Sequence, residues 1–492
     1  MSLINSLHTA QWQLQGSHTP KSASLPHTLV SSLLAGGSLH QRYAATLLHS
    51  LGSSCSSEAL PVPQTAALDG DAARDWAESG LMALTGEKQG PPQRADHAIP
   101  SCAKGAISAL ENLAGHSLPA SFESGALLVE RSRILGLSRQ GRISPGGSCR
   151  LIAGTDGMLA LNLARQEDWR LLPAWLEEGF ATSTWETLEE KISSRAVEAL
   201  VSRGRMLGLP VAAATSTAGK KIPWYRFSPT ACSVERPSIN NAPLVIDLSG
   251  LWAGPLCTQL LLQIGARVIK VESEHRPDAM RTGTAEFYEL VNAGKESVQL
   301  DFQSAAGRET LLALLHAADI VVESSRPRAL EQMGIQAQAI VDQHPSKVWL
   351  SLTGYGRVES KSNWVAFGDD AGAAAGLSLC DEDDKTPTAF CGDAIADPLT
   401  GMHAAVAALA FWQRGQGGLV DINLCDVASY CLAFHKSQNI GKVTWDIVAQ
   451  AWCLEDGEQR FLLHQPTLRK TTLPTAALGE NTDAVLLEFA AC

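Results

Sequence analysis

A chain of 492 residues, 45% apolar and 18% charged, is too long for one ordinary core and too apolar for disorder, so two or three globular domains are expected. Its net charge of −12 argues against a general nucleic-acid binder and leaves any anionic ligand to local basic groups. The 11 cysteines are odd in number and form no CxxC pair, which fits neither a disulfide framework nor a zinc site and suits a reducing cytosol.

The N-terminus lacks the basic-then-apolar pattern of a signal peptide, and no apolar run reaches the ~18–20 residues of a membrane helix, so a cytoplasmic protein with no membrane partner is expected. Residues 1–66 are rich in Ser, His, Leu and Gly, with a helix at about 41–51. A helix within 74–92 runs into a polar Gly/Pro turn, and a second follows at about 104–113. The stretch 141–164 alternates like two strands around Gly154-Thr155-Asp156-Gly157. Tryptophan-bearing helical segments at 166–178 and 184–206 complete a small α+β unit that closes near Pro210. Residues 216–241, rich in Ser, Thr, Lys, Pro and Asn, read as a linker.

From Pro243 the pattern becomes regular. Strands are expected at 244–249, 267–272, 297–302, 319–324 and 347–356, with helices at 255–265 and 308–318 between them. That alternation predicts an α/β fold: a Rossmann-like parallel sheet with flanking helices, joined to the small α+β domain. Ligands in such sheets sit at the carboxyl ends of the strands, which here carry 249–255, 272–281, 323–328 and 353–356.

Ala253-Gly254-Pro255 opens a helix after a strand and can meet an anion with free N–H groups, but it is not GxGxxG. Gly294-Lys295 lacks the earlier glycine of a P-loop. The loop from Glu323 to Arg328 reads equally as an anion contact or a solvated turn. The 13 histidines form no HExxH, so no metal site is expected, and no GxSxG elbow is present. In Ala394–Trp412, Asp397-Pro398 reads as a helix start with Asp397 as its cap. Free N–H groups and the helix dipole there favour its ionised form. On these residues alone, capping accounts for it.

The second half resembles the class III CoA-transferase family, which includes formyl-CoA, carnitine and bile-acid CoA-transferases and methylacyl-CoA racemases. The resemblance rests on Asp247-Leu-Ser249, Ala253-Gly-Pro255, Gly265–Glu272, Asn292–Lys295, Ala318–Glu323 with Arg326-Pro327, and Ser351–Gly354. It continues through Ile395-Ala-Asp397 with Thr400-Gly401, Gly415-Gln-Gly417 with Asp421 and Asp426, and Leu478–Thr482. It implies a class III CoA-transferase fold and Asp397 as nucleophile, passing through acyl-aspartyl anhydride and aspartyl-CoA thioester intermediates. It also implies CoA contacts at Leu251, Trp252, Ala253, Leu300, Ser324, Ser325, Arg326 and Ala329. Basic contacts of the formyl-CoA transferases are replaced by Ser273, Gln303 and Gln332, with Arg276, Arg281, Arg326 and Arg328 close enough to substitute. The histidine of the racemase branch falls near Phe367. The implied function is transfer of CoA from an acyl-CoA donor to a small carboxylic acid acceptor, with no metal. The alternatives are racemase, isomerase or lyase chemistry on the same scaffold, or a non-catalytic CoA-binding protein.

The first half resembles the same family in pieces. Residues 98–108 align with 394–404, setting Ser101 opposite Asp397, and 41–52 align with 254–265. The expected organisation is a degenerate partial large domain over 1–128, the small α+β domain over 129–215, the linker over 216–241, the large domain with Asp397 over 242–435, and a C-terminal return segment over 436–492. Such a fused chain would be a homodimer or a pseudo-dimer by itself. Gly146-Gly147 reads equally as a lid over the site or a plain turn.

Overall fold

The first half opens with helices. The computed structural model describes residues 33, 37–52, 65–179, 184–215, 222–230, 242–381, 383 and 385–490. Expectations for 1–32 and for most of the linker lie outside the described residues. Helix α1 (Leu39–Ser50) starts where Ser38 and Gln41 form a capping box, and α2 (Ala66–Glu78) where the Thr65 hydroxyl accepts the Leu68 N–H. Helix α3 (Ile99–Ala114) has Pro100 in its first turn and stops at Gly115, whose φ of 74° is left-handed. Helix α4 (Ser124–Leu135) leads into the small unit.

That unit is a three-stranded antiparallel sheet, β1 (Cys149–Ala153), β2 (Met158–Asn162) and β3 (Val211–Ala214), in the order β1-β2-β3. Three helices, α5 (Gln166–Leu176), α6 (Trp185–Ser193) and α7 (Val197–Leu207), close its core over Leu159, Leu161 and Trp175. The single helix expected over 184–206 is therefore two. The break falls where Arg195 docks: its carbonyl accepts the Thr155 N–H at 2.9 Å and its guanidinium donates to the Leu176 carbonyl at 2.7 Å.

The main sheet contains β4 (Tyr225–Pro229), β5 (Leu244–Leu248), β6 (Arg267–Ser273), β7 (Glu296–Leu300), β8 (Ile320–Glu323) and β9 (Val348–Thr353). A hairpin of β10 (Ser378–Cys380) and β11 (Pro387–Phe390) follows, and then the seventh strand of the main sheet, β12 (Gly418–Asn423). Their order is β4-β12-β9-β8-β5-β6-β7, parallel throughout except for β4, which runs antiparallel to β12. Here the structure corrects the linker reading: Tyr225–Pro229, inside 216–241, is an edge strand. Its alternation seats Phe227 on Phe411, ring centroids 4.3 Å apart, with Tyr225 on the same ring at 5.7 Å. Ser, Lys and Pro neighbours hid that short pattern.

Helices cover both faces. Helices α8 (Ala253–Gln263), α9 (Ala285–Asn292), α10 (Ala305–Ala317), α11 (Pro327–Gln332), α12 (Ala337–Gln343), α13 (Gly368–Ala375), α14 (Ala396–Gln413) and α15 (Leu424–Leu432) follow in order. One face packs on Leu311, Leu314, Ile340 and Val485, the last from the C-terminal helix α16 (Thr482–Ala490). The other packs on α8 and α14, and its core runs on into α1 and α3 of the first half. The two halves thus share one core.

A close backbone approach recurs in the two halves. A Cβ on Gly401 of α14 would lie 2.6 Å from the Ala253 carbonyl oxygen, and one on Gly105 of α3 would lie 2.5 Å from the His40 carbonyl oxygen. These are matching positions of the aligned segments, so α1 crosses α3 as α8 crosses α14, each pair needing glycine for its close approach. The expected C-terminal return segment holds an antiparallel sheet of β13 (Lys442–Asp446), β14 (Ala451–Asp456) and β15 (Gln459–Leu462). Helix α2 lies against it, with Arg74 5.6 Å from the Phe461 ring centroid. The chain then returns to the main sheet, where the Asn481 and Thr482 side chains accept the Ser297 and Gln299 N–H groups at 2.8 and 3.0 Å.

Candidate active site at the head of the Asp397 helix

Beneath the site lies a buried polar frame. Lys295 Nζ reaches Asp247 Oδ2 at 3.0 Å, the Pro255 carbonyl at 2.9 Å, Thr258 Oγ1 at 2.7 Å and Asn292 Oδ1 at 2.9 Å. Asp247 also accepts the Ser249 N–H at 2.9 Å and hydroxyl at 2.5 Å. Lys270 donates to the Ser249 carbonyl at 2.7 Å and pairs with Asp278 at 3.2 Å. Burial alone would raise Asp247, but Lys295, Lys270 and two hydroxyls outweigh it and hold it below the usual carboxylate range. Lys295, which fits no P-loop, instead pins the entry of α8.

The frame fixes the loop 249–252 at the switch point of the sheet. Strand β5 has β6 on one side and β8 on the other, and the crevice opens between β5 and β8. The Gly250 N–H bridges it to Ser324 Oγ at 3.1 Å. Leu251 stands 40% exposed there with φ of 67°, a left-handed conformation that costs a branched residue energy. Of the residues implied for CoA, Trp252 and Ala253 are buried at the α8 start, and Ser324, Arg326 and Ala329 are exposed on the opposite lip. Ser325 is turned back onto Glu323 at 2.8 and 2.9 Å, and Leu300 is buried at the end of β7, two strands away from β5.

Among the basic groups expected to substitute for lost phosphate contacts, Arg281 is already engaged. It pairs with Glu272 at 2.6 Å and lies 4.3 Å from the Tyr288 ring centroid. Arg276, Arg326 and Arg328 are exposed. Burial, then Arg328, Arg165 and Arg276, push Arg326 below its ordinary range. Like charge therefore gathers on this lip, and Arg165 brings part of it from the small unit. A polyphosphate fits such a lip.

Asp397 lies at the second residue of α14, with Ile395 in the capping position, so it is not the cap that Asp397-Pro398 suggests. The helix starts earlier because the chain turns sharply at Gly392 (φ 72°) and Ala394 (φ 50°). Ala394 is held in that strained conformation by its N–H donating to Asp369 Oδ1 at 2.8 Å. Asp397 is half-buried. Its surroundings reverse the expectation of a readily ionised carboxylate. Burial, aided by Asp369 and Asp393, outweighs Arg131 and the Gly368 N–H, and Asp397 is pushed up to about 7. Asp369 is likewise pushed up to about 7 by burial and then by Asp393, and Asp370 by burial to about 8.

The groups that organise this cluster come from the first half and carry no local signal in the sequence. Arg131 of α4 pairs with Asp393 at 3.4 Å and lies 5.6 Å from the Trp252 ring centroid, tying the turn before Asp397 to the loop 249–252. Ser132 donates to Asp393 at 3.2 Å. From the small unit, Ser144 bonds Asp369, Asn162 donates to Asp370 at 3.5 Å, and Arg165 lies 5.8 Å from the Phe367 ring centroid. Thr215 donates through N–H and hydroxyl to the Ala373 and Ala374 carbonyls, both at 3.1 Å, docking the small unit on α13. A Cβ on Gly146 would lie 2.9 Å from Arg131 Nη2 and 3.2 Å from Asp393 Oδ1, so Gly146 packs on the cluster. Asp393 Oδ1 and Asp370 Oδ2 are buried without a hydrogen-bond partner among the described residues. Ser101, the counterpart of Asp397, is fully buried and donates to Asp75 at 2.6 Å. His403, on the Asp397 helix, points instead into the core, 2.6 Å from the Tyr43 hydroxyl.

Residues 243–444 match the family model described as CoA-transferase family III. This segment, about two fifths of the chain, is similar to that family. An acyl-CoA transferase of Fusarium pseudograminearum is 30% identical to the chain over 223 residues, 41% of this chain and 49% of the relative. A formyl-CoA:oxalate CoA-transferase of Escherichia coli is 31% identical over 193 residues, 37% of this chain and 46% of the relative. The chain thus spans about half the length of the curated relatives it matches. Among solved structures, a CAIB/BAIF family protein of Brucella suis is 25% identical, with 45% of this chain and 64% of that one covered and a TM-score of 0.37. A hypothetical protein of Mycobacterium tuberculosis is 27% identical, with 38% and 57% covered and a TM-score of 0.34. No helix among the described residues is long and apolar enough to cross a membrane. Asp397 and the residues of both crevice lips fall inside the matched segment, whereas Arg131, Ser144 and Arg165 fall outside it.

Proposed function

We propose that the protein transfers CoA from an acyl-CoA donor to a small carboxylic acid, with Asp397 as nucleophile. The observation that carries this reading is the position of the Asp397 carboxyl. It is half-buried in the first turn of α14, faces Arg131, and lies one turn from where Gly401 meets the Ala253 carbonyl at the switch-point crevice. A CoA pantetheine arm entering between Leu251 and Ser324 would bring its thioester towards that turn, with its phosphates beside Arg276, Arg326 and Arg328.

In the first step an Asp397 oxygen attacks the thioester carbon and the C–S bond breaks, giving an acyl-aspartyl anhydride and CoA thiolate. The thiolate attacks the aspartyl carbonyl of the anhydride, which releases the donor acid and leaves Asp397 as its CoA thioester. The acceptor carboxylate repeats the sequence in reverse. Each step gathers negative charge on a carbonyl oxygen, and Arg131 is the cation nearest to stabilise it. Arg131 also sets how easily Asp397 ionises, against burial and the neighbouring Asp369 and Asp393 carboxyls.

Incubation with acyl-CoA followed by hydroxylamine should label Asp397, read by mass spectrometry, and Asp397→Ala should lose transferase turnover. Undiminished turnover in that variant would sink the assignment. A second reading, proton transfer at the acyl α-carbon, is favoured by one observation: Asp369 supplies a second carboxyl with a pKa near neutrality beside Asp397. Solvent deuterium entering the α-carbon without an acceptor acid would select it over transfer.

A further inference from the structure

The Asp397 site leaves one large cleft unused. It encloses about 1370 Å3 between residues 91–97 ahead of α3, residues 376–381, 385 and 388 around the β10–β11 hairpin, and residues 436–443 leading into β13. Three side chains in its wall are buried yet lack partners among the described residues. Arg94, 4% exposed, leaves Nε and Nη1 unpaired; Ser378, 5% exposed, its hydroxyl; and His97, 3% exposed, both ring nitrogens. Buried polar groups are nearly always hydrogen-bonded, and three orphans around one cleft mark a place for a ligand.

Their chemistry specifies its sign. The Arg94 guanidinium is held by one nitrogen only, Nη2 donating to the Asn439 carbonyl at 2.5 Å. Its other N–H groups are donors with no acceptor. Carboxylates act on it through space without a hydrogen bond to it: Asp456 first, then Asp69, which pairs with His435 at 2.9 Å, and Asp96, which pairs with Lys436 at 2.8 Å. Burial pushes His97 down to about 4, so it is neutral and offers one donor. Lys442, exposed at the rim, adds a positive charge.

We infer that this cleft binds a small oxyanion, a carboxylate or phosphate monoester, whose oxygens accept the unpaired Arg94 N–H groups and the Ser378 hydroxyl. The site is separate from Asp397. Helix α13 runs between them, its Gly368 end at Asp397 and the residues after its Ala375 end in the cleft, eight residues or roughly 12 Å of helix. It also joins the halves, since 91–97 belong to the first and 376–443 to the second.

Calorimetric titration of the full chain with inorganic phosphate, and separately with succinate, at low ionic strength tests this. A saturable event that depends on Arg94 and Ser378 is expected with at least one probe, distinct from any binding at the Arg326 lip or at Asp397, and the tighter probe names the class. Arg94→Gln should weaken it about tenfold or more, because a charge-assisted bond is lost. Ser378→Ala removes only a hydroxyl and should weaken it roughly threefold to tenfold, which keeps the test decisive if Arg94→Gln does not fold. Arg326→Ala, on the other crevice, should leave it unchanged. No saturable binding of either probe, binding untouched by Ser378→Ala, or binding lost in Arg326→Ala would each overturn the inference.

Discussion

At the scale of single residues, the carboxyl cluster sets activity and stability against each other. Asp397 and Asp369 are pushed up to about 7 and Asp370 to about 8, burial being the first cause of each. An unfolded Asp titrates near ~3.9, so the folded state holds these protons more tightly. Their contribution to stability is therefore complete below about pH 4 and is lost as pH rises through 7 to 8. Attack on a thioester needs the opposite, an ionised Asp397. The expected result is a kcat/KM that climbs through about pH 7 while the melting temperature declines over the same window. Asp369→Asn removes the like charge that helps hold Asp397 up, so the kcat/KM limb should move to lower pH and the decline in melting temperature should flatten. A pH–rate profile unchanged in Asp369→Asn would detach the two carboxyls.

At the scale of elements, the entry of α8 depends on a buried ion pair rather than on a glycine-rich loop. Lys295 and Asp247 are 1% and 0% exposed in their side chains and 3.0 Å apart. Removing the lysine strands a buried carboxylate, a change that typically costs about 3–5 kcal/mol. Lys295→Met should therefore lower the denaturation midpoint by that order and also weaken acyl-CoA binding, because the Pro255 carbonyl loses its anchor. Normal acyl-CoA affinity in a destabilised Lys295→Met would confine the pair to stability. Much at this scale was legible beforehand. Strands β5, β6, β8 and β9 are short runs rich in Val, Ile and Leu between helical segments, and they fall close to their expected positions. Strand β4 was not legible, because Tyr225 and Phe227 alternate over too few residues among turn formers. Asp397 stood out through its flanking segments. Arg131, Ser144 and Asp369 did not: nothing in the sequence brings a helix at 124–135 to residue 397, and Gly146-Gly147 reads there equally as a lid or a plain turn; only the packing of one half on the other decides.

At the scale of the whole molecule, the first half serves as cover and as partner to the second. Its α1 and α3 repeat the crossing of α8 and α14, its small unit docks on α13, and its Arg131 is the cation at Asp397. The halves are also bolted together below the site. Glu130 of α4 faces Arg469 of the C-terminal stretch at 3.0 Å, with side chains 0% and 1% exposed. Arg469 further donates to the Leu290 carbonyl at 3.2 Å and lies 4.5 Å from the Phe122 ring centroid. The pairing is imperfect, since neither Glu130 oxygen accepts a well-directed hydrogen bond, and burial pushes Glu130 up to about 7. Glu130→Leu leaves the arginine charge buried alone and should cost about 3–5 kcal/mol, read from denaturant unfolding. Adding Arg469→Met removes the stranded charge, so the double variant should recover most of the loss, as apolar replacements of buried pairs often do. Because Glu130 is one residue from Arg131, the single variant should also lose turnover, and the double variant should regain it only if α4 returns to its place. Recovery of stability without recovery of turnover would show that the pair positions Arg131 as well as joining the halves. Equal stability of the single variant and the parent would show that the shared apolar core alone holds the two halves together.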